Sequence, residues 1–156
     1  MRDPAIRRAG PQDAEALSKG LARLSADLGD DHRMDAAGLR AAFAAPEPPF
    51  RAVIAGDTGL ALYSPLFSTV AGGAGLYVSD LWVAEAARGA GLGRRLLAAA
   101  ARDASRRWGA IFLALAVYDT SPRARAFYER LGFVPMVGET RLKLDAAAFD
   151  SLKGTA

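Results

Sequence analysis

Apolar residues recur at three- and four-residue steps over 11–28. Ala14, Leu17, Leu21, Leu24 and Leu28 fall on one face, the mark of a helix with one buried side. The short segment 5–8 ahead of it reads as a strand. After the turn Gly29-Asp30-Asp31-His32, a second helix is expected over 34–44. Pro46-Glu47-Pro48-Pro49 stops it, because proline fixes φ and lacks a backbone donor. Segments 50–55, 59–67 and 76–83 read as strands, with a glycine-rich hairpin at Gly72-Gly73-Ala74-Gly75 between the last two. Helical spacing returns over 91–108. The run 111–117 is almost continuously apolar and of strand length, which predicts a buried strand. Helix 121–131 follows, with Ser121 as N-cap, Pro122 at the first helical position and Gly132 as a left-handed terminator. Strands at 133–137 and 140–144 and a short terminal helix close the chain. The order β-α-α-β-β-β-α-β-α-β-β predicts an α/β fold whose mixed, mostly antiparallel sheet is flanked by helices. No linker or repeat interrupts it, so 1–156 is expected to form a single domain.

The chemistry concentrates where the strand 76–83 meets the helix 91–108. Arg88-Gly89-Ala90-Gly91-Leu92-Gly93-Arg94 is a glycine-rich turn opening a helix. Such a turn presents unpaired backbone N–H groups at the positive end of the helix dipole, and these suit a phosphate or pyrophosphate. Taken alone, the glycines serve a tight structural turn equally well. Two common phosphate loops do not fit. The dinucleotide fingerprint needs G-x-G-x-x-G and an acid about 20 residues on. The P-loop needs Gly-Lys-Ser/Thr, and this turn has no lysine.

Composition narrows the field. Half of the residues are hydrophobic (51%), enough for a packed core and against disorder. No apolar run spans a membrane and no signal sequence is evident, so a cytoplasmic protein is expected. With no cysteine, disulfides, thiolate metal sites and a cysteine nucleophile are excluded. No metal site is expected. His32, the one histidine, sits among Asp30, Asp31 and Arg33 in what reads as a solvated loop. The net charge is +3, carried mostly by arginine. Arg88, Arg94, Arg95, Arg102, Arg106, Arg107, Arg123, Arg125 and Arg130 all follow the strand 76–83. They suit a phosphorylated ligand. No aromatic–basic interleaving or reading helix points to nucleic acid.

The glycine turn and the element Ser121 to Phe133 together resemble the GNAT superfamily of acetyl-CoA-dependent N-acetyltransferases. That family carries Arg/Gln-x-x-Gly-x-Gly/Ala, matched by Arg88, Gly91 and Gly93. Some 35 residues on, by the family's spacing, it carries a helix ending in Tyr before Gly-Phe, matched by Tyr128 and Gly132-Phe133. The resemblance covers nearly the whole chain. The stretch from Gly59 to Val83 and the ending Arg141-Leu142-Lys143-Leu144-Asp145 look most like the diamine branch, the spermidine/spermine and thialysine acetyltransferases.

The resemblance implies a GNAT-like acyl-CoA N-acyltransferase fold, in which two parallel strands splay apart around acetyl-CoA. It implies transfer of the acetyl group to a primary amine of a small molecule, a diamine or a lysine-like amino acid. With no cysteine, direct attack within a ternary complex is the expected route. The backbone of Leu81, Trp82 and Val83 would meet the pantetheine arm, with oxyanion support from an N–H near Val83. The amides of Arg88, Gly89, Ala90, Gly91, Leu92, Gly93 and Arg94 would take the pyrophosphate. Tyr128 would be the general acid, a phenol of pKa about 10 donating to a thiolate whose acid lies at about 8.5. Asp80 would be the base, or would hold a cationic amine.

Two positions depart from the pattern. Ser79 stands where the diamine branch has an acid, and Ser121 where the family commonly has a cofactor-contacting Asn; Ser121 keeps a hydroxyl for that role. Without the family, Tyr128 reads as a core aromatic and Asp80 as an ion-pair partner of an arginine. Asp27, Asp30 and Asp31 read as a charged turn or as a lure for a cationic amine. Leu66, Phe67 and Val70 would serve a homodimer or pack internally. A protein N-terminal or lysine acetyltransferase, and a CoA-binding regulatory domain without turnover, are the competing readings.

Overall fold

The computed structural model describes residues 4–155. Its contacts divide the chain into two compact units, Met1–Val117 and Tyr118–Ala156. The first holds β1 (Arg7–Arg8), a 3-10 turn (Pro11–Asp13), α1 (Ala14–Leu28), α2 (Ala36–Phe43), β2 (Arg51–Ala55), β3 (Gly59–Ser68) and β4 (Gly73–Val83). A second 3-10 turn (Glu85–Ala87), α3 (Leu92–Trp108) and β5 (Leu113–Leu115) complete it. The second unit holds α4 (Pro122–Arg130) and α5 (Ala146–Lys153).

The five strands lie in sequence order in one sheet. The first four are antiparallel, and β5 runs parallel to β4. This is the mixed, mostly antiparallel sheet expected. On one face α1 buries Ala14, Leu17 and Leu21 with Ala52, Ile54, Leu60 and Trp82. The approach is close at Gly20, where a Cβ would meet Leu60 and Trp82 at 2.6 and 3.0 Å. The apolar stripe of α1 runs out before its end, since Leu28 is exposed and Gly29 turns left-handed at φ 76°. On the other face α3 buries Leu92, Leu96, Leu97, Ala100 and Ala104.

One charged residue sits on that buried stripe. Asp103 receives Arg51 through Nε and Nη2 at 2.6 and 3.0 Å, and the Tyr63 hydroxyl at 2.7 Å. Burial alone would raise the Asp103 carboxyl, but the donors from Arg51 and Tyr63 hold it below the ordinary aspartate value. The Tyr63 phenol, fully buried, is pushed far upward by burial and by its bond to the carboxylate. The knot ties α3 to β2 and β3.

Several expectations need correction. The hairpin between β3 and β4 turns at residues 69–72, so Gly73, Ala74 and Gly75 are already in the strand. Gly72 N–H closes it on Ser68 O at 3.0 Å. The expected buried strand 111–117 shrinks to Leu113–Leu115, is only half-buried, and leaves Ile111 exposed. Strands 133–137 and 140–144 do not form. Pro135 removes a ladder donor from the first, and Gly138 turns the chain at φ 89° between them. Val134, Val137 and Leu142 are consequently at the surface. Ser121 occupies the N-cap of α4, but its side chain makes no capping bond; its carbonyl accepts from Arg125 N–H at 3.1 Å. Leu66, Phe67 and Val70 are exposed. Among the described residues no helix is long and apolar enough to cross a membrane.

Candidate active site

The glycine turn forms as a strand-to-helix connection inside the first unit. Gly89 and Gly91 sit at φ 84° and 78°, a region that favours glycine, and a Cβ at either would meet nothing within 4 Å. Gly91 is the N-cap of α3 and has no side chain to cap with. The first bond into the helix is Arg95 N–H to Gly91 O at 3.1 Å. The N–H groups of Gly89, Ala90, Gly91, Leu92, Gly93 and Arg94 find no acceptor among the described residues. Six amides at an uncrowded helix N-terminus make a donor set that fits a pyrophosphate, whereas the Arg88 N–H, expected among them, is bound to Glu85 O at 3.2 Å.

The Arg88 side chain does not point its charge freely into this cradle. Its Nε donates to Val83 O at 3.0 Å, and its Nη2 pairs with Asp27 at 3.2 Å. The bonds brace the turn against the end of β4 and against α1. Asp27, read from sequence as part of a charged turn, is therefore engaged. Arg94 is exposed.

β4 and β5 pair only through Leu76, Tyr77 and Val78 with Leu113, Ala114 and Leu115. Beyond Val78, β4 continues to Val83 without a parallel partner, which is the splay expected at the end of such a strand pair. Leu81, Trp82 and Val83 lie on that stretch. The Trp82 ring is 5% exposed, packed beneath α1 with the Arg23 guanidinium 5.8 Å over it. Its side chain is packed away, which leaves only its backbone at the strand edge.

β4 carries a bulge here that its sequence does not announce. Leu62 faces Asp80 while Tyr63 faces Val78, so Ser79 is the extra residue on β4. A bulge reverses the alternation of faces. Leu76 and Val78 point toward α3, whereas Asp80 and Trp82 point toward α1. Without the bulge Asp80 would share the α3 side. Among the described residues no arginine pairs with Asp80. Its carboxylate accepts from Ser79 Oγ at 2.7 Å, and burial, the dominant influence, raises its pKa against the opposing pull of Ser79 and His32. His32, set aside in the sequence as a solvated loop residue, thus lies within electrostatic reach of Asp80; its Nδ1 is 3.3 Å from Ser25 Oγ.

Tyr128 and Ser121 belong to the second unit. Tyr128 packs between Phe127 and Phe133, with ring centroids at 5.2 and 5.5 Å. Burial raises its phenol pKa, so the hydroxyl stays protonated at neutral pH. Its carbonyl accepts from Leu131 N–H at 3.0 Å and Phe133 N–H at 3.1 Å, and Gly132 between them sits at φ 97°, the left-handed terminator expected.

Residues 21–133 match the acetyltransferase (GNAT) family. No curated protein matches the chain. Several solved structures share the fold. An integron cassette protein from the mobile metagenome of V. cholerae is 19% identical with a TM-score of 0.75, over 99% of this chain and 100% of that one. An aminoglycoside acetyltransferase from an uncultured soil metagenomic sample is 19% identical with a TM-score of 0.72, over 92% and 100%. A ribosomal-protein-alanine N-acetyltransferase from Brucella melitensis biovar Abortus 2308 is 18% identical with a TM-score of 0.71, over 90% and 99%. The family match spans most of the chain, from α1 through the glycine turn to Gly132-Phe133, and the sheet is the one that family builds: the chain belongs to the acetyltransferase (GNAT) family.

Proposed function

We propose that this protein transfers the acetyl group of acetyl-CoA to a primary amine of a small molecule, with both units serving one catalytic domain. The observation that carries the reading is the row of unpaired amides from Gly89 to Arg94 beside the unpaired edge of β4. Bound acetyl-CoA would supply an activated thioester carbonyl. The turn amides would hold its pyrophosphate, and the backbone of Leu81, Trp82 and Val83 its pantetheine arm, with an N–H near Val83 facing the carbonyl oxygen. Ser121 would contribute its hydroxyl to the cofactor.

Asp80 would take the proton of the attacking amine, directly or through water. Burial raises its carboxyl above the ordinary aspartate value, which makes it a stronger base than an ordinary aspartate. Tyr128 would return a proton to the departing thiolate; the motif and its protonated phenol support this role. The acceptor best suited to Asp80 is a cationic amine, a diamine or an amino acid.

The decisive experiment follows CoA release from acetyl-CoA with diamines, amino acids, aminoglycosides and peptides as acceptors. Release with a small amine supports the reading. Release only with peptides would give the reaction to a protein acceptor, and binding of acetyl-CoA without release would leave a CoA-binding regulatory domain.

Gly91→Ala forces a side chain into the left-handed region at a strain of about 1 kcal/mol and puts a methyl group in the cradle. Calorimetric titration should find acetyl-CoA binding weakened by about tenfold, the equivalent of losing one charge-assisted hydrogen bond. Wild-type affinity in this variant would move the pyrophosphate elsewhere.

For Asp80→Asn the pH–rate profile is the readout. The wild-type rate should rise as the Asp80 carboxyl deprotonates, above the ordinary aspartate value of 3.8. The variant should lose that limb and reach half-maximal rate at higher pH, where the amine loses its proton unaided. An unshifted profile with a raised acceptor KM would assign Asp80 to substrate binding instead.

A further inference from the structure

A cleft of about 480 Å³ opens in the first unit, where the end of β1, the start of β2 and the proline-rich segment after α2 meet the C-terminal end of α3. The glycine turn is at the other end of α3. Seventeen residues at 1.5 Å rise separate the two by about 25 Å, so the cleft is no extension of the pyrophosphate cradle.

Its charge is unbalanced. Arg8, Arg51 and Arg107 line it, against Glu47 alone among acids. Asp103 neutralises Arg51 from behind, yet only through Nε and Nη2; Nη1 has no acceptor among the described residues. The Arg8 and Arg107 guanidinium groups are exposed and meet no acceptor among the described residues. Among the described residues, the three arginines face Glu47 and the Asp103 carboxylate, which Arg8 also reaches electrostatically; one excess positive charge remains, which suits a monoanion better than a dianionic phosphate.

The walls are flat and stiff. Trp108 and Phe50 line the cleft, and the Trp108 ring is held edge-on by buried Tyr63 at 6.2 Å. Phe50 is held against Phe43 at 4.7 Å. Prolines at 46, 48 and 49 form the rim, so little conformational freedom remains to be lost on binding. Aromatic walls with a few polar groups and a volume of this size are the features of a small-molecule site.

We propose that this cleft is a second ligand site, selective for a small planar monocarboxylate, with the carboxylate on Arg8 and Arg107 and the ring against Trp108. The probe is indole-3-acetate, titrated into the full chain by calorimetry, with neutral indole-3-acetamide as the shape-matched control. The acid should bind saturably, and the amide at least about tenfold more weakly, the loss of one charge-assisted contact. The double variant Arg8→Gln/Arg107→Gln should lose the acid by a similar factor. It should keep a cooperative melt and the wild-type acetyl-CoA affinity, because neither side chain makes a hydrogen bond among the described residues and Arg8 is the weakest of the influences on the Asp103 carboxylate. Equal binding of acid and amide, no binding of the acid, or acid binding unchanged in the double variant would each overturn the proposal. So would displacement of the acid by CoA, which would put it in the glycine turn. None of these outcomes depends on turnover, so the acetyl-transfer reading and the second site stand or fall separately.

Discussion

Tyr128→Phe is expected to lower kcat by about a hundredfold, the lower end of what a positioned general acid contributes. Acetyl-CoA affinity and Tm should stay at wild-type values. The variant removes one oxygen and keeps the ring that packs on Phe127 and Phe133. It also keeps the carbonyl on which the reversal at Gly132 is built. A purely structural role would therefore leave turnover almost untouched. Steady-state CoA release and calorimetric CoA titration, run on both proteins, separate the two: an unchanged kcat returns Tyr128 to aromatic packing, and a lost kcat with intact binding makes it the proton donor.

The largest effect on stability is expected at Asp103. Asp103→Asn removes the charge that two donors from Arg51 and one from Tyr63 converge on, leaving a largely buried guanidinium without its counter-ion. Breaking such a pair costs about 3 kcal/mol. For a chain of this length that lowers Tm by about 10 °C. Tyr63→Phe, which deletes one donor from the same knot, should cost only about 1 kcal/mol.

The pH dependence fixes the sign. The folded Asp103 carboxyl lies below its ordinary value of 3.8, so its stabilisation is complete above that pH. It is lost as pH falls through the lower, folded-state value. Urea melts should find the gap between wild type and Asp103→Asn wide at neutral pH and narrowing in acid. A gap that stays constant with pH would mean that packing, and not the charge, holds α3 there.

The parts of this fold set by local pattern were legible in the sequence. α1 and α3 carry their apolar stripes in plain view, Pro122 and Gly132 bound α4, and Gly29 stops α1. The glycine turn and Tyr128 were legible as motifs. What could not be read depends on long-range pairing. Asp103 lies 52 residues from Arg51 and 40 from Tyr63. The available clue was the only acidic residue of α3 falling on its buried stripe. The bulge at Ser79 has no local signature, yet it decides which face Asp80 occupies. The closing strands failed for the same reason: an alternating run becomes a strand only where a neighbouring strand accepts its bonds, and Pro135 spoils the run from within.

The free edge of β4 has a cost outside catalysis. A strand that ends its pairing at Val78 and runs on to Val83 is a template for any other extended segment, including one from another copy of this protein. The features around it act against self-association. Ser79 twists the ladder out of register, Asp80 sets an acid in the middle of the open stretch, and Arg88 occupies the carbonyl of Val83. These irregularities along the edge make it a poor nucleus for aggregation.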